Sequence, residues 1–348
     1  MPDNIVRLSK DQIEDGRIEL VDRSGKRITL ALQPSDVHDP TELPTYLGGF
    51  KPFNFRADEA SPVVLMDNYQ DKIRNFSSND AFRLVSVKGS PSGAIPEVDP
   101  SSSLTSITAL DRYIGSFIPT QTEAATGNNY QPRMAAARRC ANALLLDREV
   151  DAWTLLGTNT NWAATQRTSA TSAWTNTGAD PILDIETAIE KSLQPVSGLW
   201  MNQKSAHEFL RCDKVKDHMR QMLGDSAVDR AVANVADAGA QNVDFRIPGL
   251  PPIHVAASKY WNETGSSYDY VLGDVVVLTC VPAGVPMDGE TIASSYTFRV
   301  KGPSGTGYET REFFVPNRGP QGGTFVVVSM ADIATMTANT AGGIITGI

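Results

Sequence analysis

PRMAAARRCANALLLDREVDAWTLLG, residues 132–157, is the segment around which the rest of the chain is organised. Ala135, Ala136, Ala137, Ala141 and Ala143, followed by Leu144, Leu145 and Leu146, carry high helix propensity without a break. Pro132 sits in the first turn, where a missing amide hydrogen costs nothing, and Gly157 ends the run. The reading is one helix over residues 130–156. At about 1.5 Å per residue it spans roughly 40 Å, long for a globular protein and suited to a strut.

Toward the N-terminus, the pattern turns to β. Residues 82–88 read as a short strand, followed by the turn cluster Gly89-Ser-Pro-Ser-Gly93. A polar stretch over 95–103 leads to β-leaning pieces at 104–109 and 113–118. Together they make a long extended flap with too few apolar residues to stand as a domain. The first sixty residues read as an arm: residues 11–26 alternate charges, and Pro34, Pro40, Pro44 and Pro52 punctuate its second half. Leu43, Tyr46 and Phe50 are its apolar anchors.

Toward the C-terminus comes a Thr/Ser/Asn-rich connector over 159–178. Asp180-Pro181 then opens a helix whose Ile182, Ile185, Ile189 and Leu193 recur at helical spacing. A strand at 199–201, a helical stretch over 202–223 and strands at 245–257 and 270–281 complete an alternating α/β lobe. The last fifty residues return to β, at 296–301, 308–315 and 324–330, with linkers dense in Gly and Pro. Long antiparallel strands are expected there. No internal repeat of fixed period is present. The fold class is α+β, divided into an arm (1–60), a β-flap and its base (61–125), a peripheral lobe (126–179 and 286–348) and a central lobe (180–285).

Composition narrows the function. Lys and Arg number 31 against 40 Asp and Glu, a net charge of −9, which disfavours gripping nucleic acid through its phosphates. The same acidic balance suits a surface that must not stick to polyanions. Cys140, Cys212 and Cys280 are odd in number and far apart, which reads as buried or half-buried free thiols in a reducing compartment. The polar start lacks a signal peptide's apolar stretch, and the longest apolar run, near 275–285, is too short to span a bilayer. Synthesis in the cytosol is expected.

Candidate chemistry fails on geometry. His207 and His218 on one continuous helix would share a face but sit roughly 16 Å apart, too far for one ion at about 2 Å ligand distances, with Cys212 around the cylinder. Gly302-Pro-Ser-Gly-Thr-Gly307 has the composition of a phosphate cradle, but strands flank it on both sides, so it reads as a hairpin turn. Gly25-Lys26-Arg27 fails likewise, and Gly89–Gly93 places proline where a nucleophile elbow needs serine. Asp147, Glu149 and Asp151 read as a solvated helix face. Trp162 and Trp174 read as anchors of the connector to its own core. No catalytic residue, metal or cofactor is expected, and the chain does not read as an enzyme.

The order of parts is itself a signal. Arm, β-flap, long helix, α/β lobe and terminal long strands follow one another in that sequence. This order resembles the major capsid proteins of tailed double-stranded DNA bacteriophages, the Hong Kong 97-type shell fold. Local wording is similar too: Val85-Ser-Val-Lys-Gly89 and Ile95-Pro-Glu-Val98 in the flap, residues 135–156 as the spine helix, Tyr308-Glu-Thr-Arg311 and Gly322-Gly-Thr-Phe-Val-Val-Val328 near the end. The resemblance covers roughly residues 60–348. It implies that the flap is the E-loop, that the spine helix and terminal strands form the P-domain, and that residues 180–285 form the axial A-domain. It further implies self-assembly into pentamers and hexamers of an icosahedral shell around packaged DNA, in the virion after assembly in the host cytoplasm. A separate scaffolding protein, a portal and decoration proteins are the implied partners, with no membrane. Lys88, Gly89, Pro91, Gly93, Ile95 and Pro96 on the flap, with Leu43, Tyr46 and Phe50 on the arm, are the candidate intersubunit contacts. Some relatives cross-link a flap lysine to an asparagine; Lys88 is the flap's lysine, with no assignable partner. An encapsulin-like compartment shell shares the fold. Tail-tube and decoration proteins are shorter and mostly β, and a ligand-binding or hydrolytic α/β protein needs convergent polar residues that this sequence lacks.

Overall fold

The structure, a computed structural model, describes residues 17–21, 27–31, 37–38, 55–76, 102–125, 131–176, 178–223, 244–281, 292–302, 307–316, 318 and 321–348. The N-terminal part holds β1 (Arg17–Val21), β2 (Arg27–Ala31), β3 (Val37–His38), α1 (Ala57–Ala60), β4 (Val63–Met66) and β5 (Gln70–Phe76). Next come β6 (Ser102–Thr108), β7 (Leu110–Pro119), α2 (Thr120–Ala125), α3 (Pro132–Gly157) and β8 (Arg167–Ser169). The middle holds α4 (Pro181–Lys191), β9 (Gly198–Asn202), α5 (Gln203–Arg211), α6 (Asp213–Leu223), β10 (Asp244–Phe245) and β11 (Ile253–Ala256). The rest is β12 (Lys259–Asn262), β13 (Ser267–Tyr270), β14 (Val275–Thr279), β15 (Ser295–Val300), β16 (Glu309–Val315), β17 (Gly323–Met336) and β18 (Gly342–Thr346).

Two six-stranded sheets carry the architecture. The first runs β3-β16-β17-β15-β4, with β7 also paired to β17. Strand β17 is 14 residues long and opens on Phe325-Val-Val-Val328, an apolar and β-branched run that suits a strand buried on both faces. Its pleat sends Val326, Val328 and Met330 to one face, against Ala136, Ala137, Cys140, Ala141, Leu144 and Leu145 of α3. Ala331, on the other face, joins Phe298 and Val300 of β15 and meets Ile73 and Ile107 from β5 and β6. Among the described residues those two strands pair with each other alone, from Gln70↔Thr108 to Phe76↔Ser102, as a two-stranded stem.

The second sheet runs β10-β11-β9-β14-β18-β8. Leu199, Met201, Val276, Leu278 and Ile345 face α4, α5 and α6 through Ile185, Phe209, Val215 and Met219. Trp200, Val277 and Ile344 face the other way, onto Ala152, Trp153 and Leu156 of α3. The long helix therefore lies on one sheet with its first half and on the other with its last turns. This is the strut that its sequence predicts, given a mechanical role by two separate cores.

Several sequence expectations change. The central lobe does not stop at 180–285: β8 and the C-terminal β18 lie in its sheet, with Val276↔Ile345 and Ile344↔Arg167 in register. Gly342 permits this, since its φ is +114° and a Cβ there would sit 2.2 Å from the Leu278 carbonyl oxygen. The helical stretch over 202–223 is two helices, because Cys212 takes an extended backbone and Asp213 starts afresh. The strand expected over 245–257 is two short strands, antiparallel across the Pro248-Gly249 turn, and the one over 270–281 is interrupted around Gly273. The arm is not featureless. Arg17–Val21 and Arg27–Ala31 pair as a ribbon in which Ile18 stands opposite Leu30 and Leu20 opposite Ile28, a period-two pattern hidden among charges. Val37–His38 extends the first sheet beside β16. The strand expected over 82–88 lies outside the described residues.

Candidate functional site

The residues to place are the candidate contacts and the elements that carry the segments they lie on. All nine candidate contacts, Lys88, Gly89, Pro91, Gly93, Ile95, Pro96, Leu43, Tyr46 and Phe50, lie outside the described residues. What the structure places is the β5–β6 stem, its root and the junction where α3 crosses between sheets.

The root is apolar. Ile73 and Ile107 are the stem residues buried in the core beside β15 and β17, and the Ala109 N–H donates to the Tyr69 carbonyl at 2.9 Å. Beside it stands Arg112 of β7. Its guanidinium donates to Asp332 of β17 at 3.1 Å and to Asp147 and Asp151, one turn apart on α3. Burial pulls its pKa down, but Asp151, Asp332 and Asp147 outweigh that, and the net direction is up. Arg148 of α3 also reaches Asp332, at 3.1 Å, and pairs with Asp58 of α1. Arg299 of β15 stands 3.7 Å from the same carboxylate. One buried aspartate thus gathers the flap base, the spine helix and the long-strand sheet. Burial, with the Arg299 cation beside it, brings Arg148 down to about 10.

Glu149 sits next in sequence and on the other side of the helix. It is 3% exposed, not part of a solvated face as its neighbours Asp147 and Asp151 are. Its carboxylate accepts from the Arg56 N–H at 3.0 Å, the Ala57 N–H at 2.9 Å, the Trp153 indole at 2.7 Å and the Ser258 hydroxyl at 3.2 Å. Burial pushes its pKa up, against those four donors. The chain leaving the arm is therefore fastened at Arg56, whose side chain adds a second clasp: 2.7 Å to Asp244 and 5.2 Å from the Trp200 ring centroid. His254 completes it, 2.8 Å from Asp244 and stacked on Trp200 at 4.4 Å. The desolvated Asp244 is nonetheless held well below the usual carboxylate range by His254 and Arg56.

Sequence reasoning missed both networks, although a helical wheel carries a signal for one. Asp147 and Asp151 are i, i+4 neighbours, whereas Glu149 shares its stripe with Leu145, Ala152, Trp153 and Leu156, all buried. The other residues singled out by the sequence can be placed. Cys140, Cys212 and Cys280 are buried and form no disulfide among the described residues. Trp162 donates to the Leu156 carbonyl at 2.8 Å and Trp174 to Asp184 at 3.1 Å, both inside cores. His207 and His218 fall on different helices, His218 within 3.1 Å of the Pro248 carbonyl, and no cluster of metal ligands occurs among the described residues. Strands β15 and β16 flank the glycine-rich stretch 302–307. No described helix is long and apolar enough to cross a membrane.

No family model and no curated protein matches the chain. Solved structures do. A phage-related protein of Bordetella bronchiseptica RB50 superposes with a TM-score of 0.65 at 15% identity, over 89% of this chain and 97% of its own. A putative prophage capsid protein of E. coli CFT073 gives 0.55 at 12%, over 89% and 99%. The SrpI encapsulin of Synechococcus elongatus PCC 7942 gives 0.50 at 10%, over 92% and 96%. Nearly whole-chain agreement at such low identity is a likeness of fold, and it coincides with the arrangement of stem, spine helix and two sheets: the chain has the Hong Kong 97-type capsid fold.

Proposed function

We propose that this chain is the major capsid protein of a tailed double-stranded DNA phage, a structural shell subunit and not an enzyme. The observation that carries the reading is the stem. Strands β5 and β6 extend seven paired residues from a root at which, among the described side chains of the two strands, Ile73 and Ile107 alone are buried, within a fold otherwise like that of capsid proteins. An isolated two-stranded ribbon is marginal in water, so such a stem gains its stability from a surface beyond its own subunit. Copies of one chain making head-to-tail contacts close into rings, here pentamers and hexamers. The candidate contacts on flap and arm then lie on neighbouring copies, where extended segments add strands or apolar anchors. DNA is enclosed without sequence-specific binding, in keeping with the net charge of −9. Scaffolding, portal and decoration proteins are the partners of that assembly in the host cytoplasm, and the virion is its destination.

Electron microscopy of the full-length chain, expressed with and without the scaffolding protein of its phage, tests this. Closed shells or free pentamers and hexamers are expected. A strictly monomeric chain at assembly concentration, with scaffold and across salt, overturns it. The likeness to an encapsulin favours a second reading, a compartment shell. Particle contents separate the two: packaged DNA supports the capsid, and a co-purifying cargo protein supports the compartment.

A further inference from the structure

The hairpin β12–β13 is a two-stranded sheet of its own on the central lobe. Its register sets Trp261 opposite Tyr268 and Lys259 opposite Tyr270, so these four share one face. Trp261 is 50% exposed and Tyr268 69%, their rings edge to face with centroids 4.9 Å apart, and the Lys259 ammonium lies 4.4 Å from the Tyr270 ring centroid. Such a pair leaves on the order of 250 Å² of aromatic surface in water. The hairpin is nonetheless rigidly built. At the tip, the Asn262 side chain accepts from the Thr264 and Gly265 N–H groups at 3.1 and 3.3 Å and donates to Asp269 at 2.7 Å. At the base, the Tyr270 hydroxyl donates to Gln203 at 3.1 Å, and Asn202 donates to the Leu272 and Gly273 carbonyls at 3.2 and 3.0 Å. A braced turn presenting Trp and Tyr has the composition and low entropy cost of an interface hot spot.

The same subunit carries a complementary face. Helix α4 turns Leu183, Glu186 and Glu190 outward at i, i+3 and i+7, with Leu193 exposed just beyond its end. Neither glutamate has an ion-pair partner among the described residues. Apolar side chains at both ends of a two-carboxylate stripe match aromatic rings beside a lysine. Helix α4 packs over β18 and β8, whereas the hairpin springs from β11, three strands from β18, and returns to β14, the neighbour of β18. The two patches are different surfaces, and a contact between them on successive copies is heterologous, the kind that propagates around a ring. We propose that the Trp261–Tyr268 face of one subunit docks on the outer face of α4 of the next copy, with Lys259 toward Glu186 and Glu190. This rests on the shell reading and assigns one of its ring contacts.

The test uses the full-length chain with its scaffolding protein at assembly concentration. Combined Trp261→Ala and Tyr268→Ala should raise the concentration for half-assembly by about tenfold or more while leaving subunit melting unchanged. Lys259→Glu should impair assembly, and adding Glu186→Lys and Glu190→Lys should restore it. A Tyr268→Cys, Leu183→Cys double variant, oxidised, should give a ladder of disulfide-linked chains on a non-reducing gel, against a wild-type background of buried thiols. Variants that assemble like wild type, charge swaps without rescue, or a gel showing single chains overturn the contact and leave the shell reading standing. Normal shells that lose only a decoration protein assign the hairpin to that other partner and overturn it too. A wild-type chain that never assembles removes both.

Discussion

Replacing Glu149 with alanine isolates the junction on which the spine helix turns from one sheet to the other. The substitution deletes the acceptor of four donors, two of them backbone N–H groups at the start of α1, and all four stay behind in a buried site. A buried donor left without a partner costs about 1–3 kcal/mol, and relief from desolvating the carboxylate offsets part of the sum. The expected net loss for Glu149→Ala is about 3–5 kcal/mol, comparable with breaking a buried ion pair. Glu149→Gln keeps the shape and one oxygen but turns an NH₂ toward donors, so about 1–3 kcal/mol is expected. Asp147→Ala and Asp151→Ala are the controls. Each removes a half-exposed carboxylate from Arg112, which retains Asp332, and each should cost no more than about 1 kcal/mol. Urea denaturation of the unassembled subunit, with a common m-value, reads all four. A loss below about 1 kcal/mol for Glu149→Ala, or equal losses for the three carboxylates, would refute the junction as an anchor.

Three further perturbations probe the same structure. Proline at Ala141, in the buried middle of α3, should cost about 3 kcal/mol or more and damage the subunit fold, visible in circular dichroism and melting. A short Gly-Ser turn in place of residues 89–103, which spares Ile73 and Ile107, should change subunit stability by less than about 1 kcal/mol while shells are lost or misformed under the microscope; an unfolded subunit or normal shells would count against an intersubunit flap. Asp244 is held below its unfolded pKa, so its contribution is fully present above about pH 4 and is lost as pH falls toward the depressed folded value; Asp244→Asn should lower stability at neutral pH and flatten the acid limb of the melting profile. Glu149 has the opposite sign, since a raised folded pKa favours the proton-bound folded state and makes its contribution decline as pH rises through that range.

Elements that declare themselves locally were legible in the sequence. Helix α3 needs nothing beyond its alanines, Pro132 and Gly157, and α4 is announced by Asp180, whose side chain caps the Leu183 N–H at 3.3 Å ahead of Pro181. The capsid-like order of parts likewise depends only on sequence order. Elements set by distant partners were not legible. Nothing near Gly342 states that β18 will sit between β14 and β8, because that pairing is decided by the space between strands remote in sequence. The break at Cys212 was hidden by apolar positions that keep helical spacing across it, Phe209, Cys212, Val215 and Met219 recurring three or four apart and entering the same core. The Pro248-Gly249 turn did carry its signal, which the surrounding β-branched residues outweighed. The candidate contacts have residue types that mark an extended segment without specifying the surface it lies on.

The position of the two polar networks explains where this subunit can deform and where it cannot. The shell proposed above would set copies of one chain among unequal neighbours, so some part of each subunit would have to give. Rotation of one sheet against the other about α3 would draw Arg148 from Asp332 and pull Glu149 from the Arg56 and Ala57 amides, leaving charges and donors buried and unpaired. Each such loss costs a few kcal/mol, a large fraction of the roughly 5–15 kcal/mol that separates a whole folded domain from its unfolded chain. The stem of β5 and β6 is tied by a single ladder, and among its described side chains Ile73 and Ile107 alone enter the core. In the proposed shell, adjustment between unequal sites falls on the stem and on the proposed contact of the β12–β13 hairpin, while the two sheets and the helix across them move as one piece.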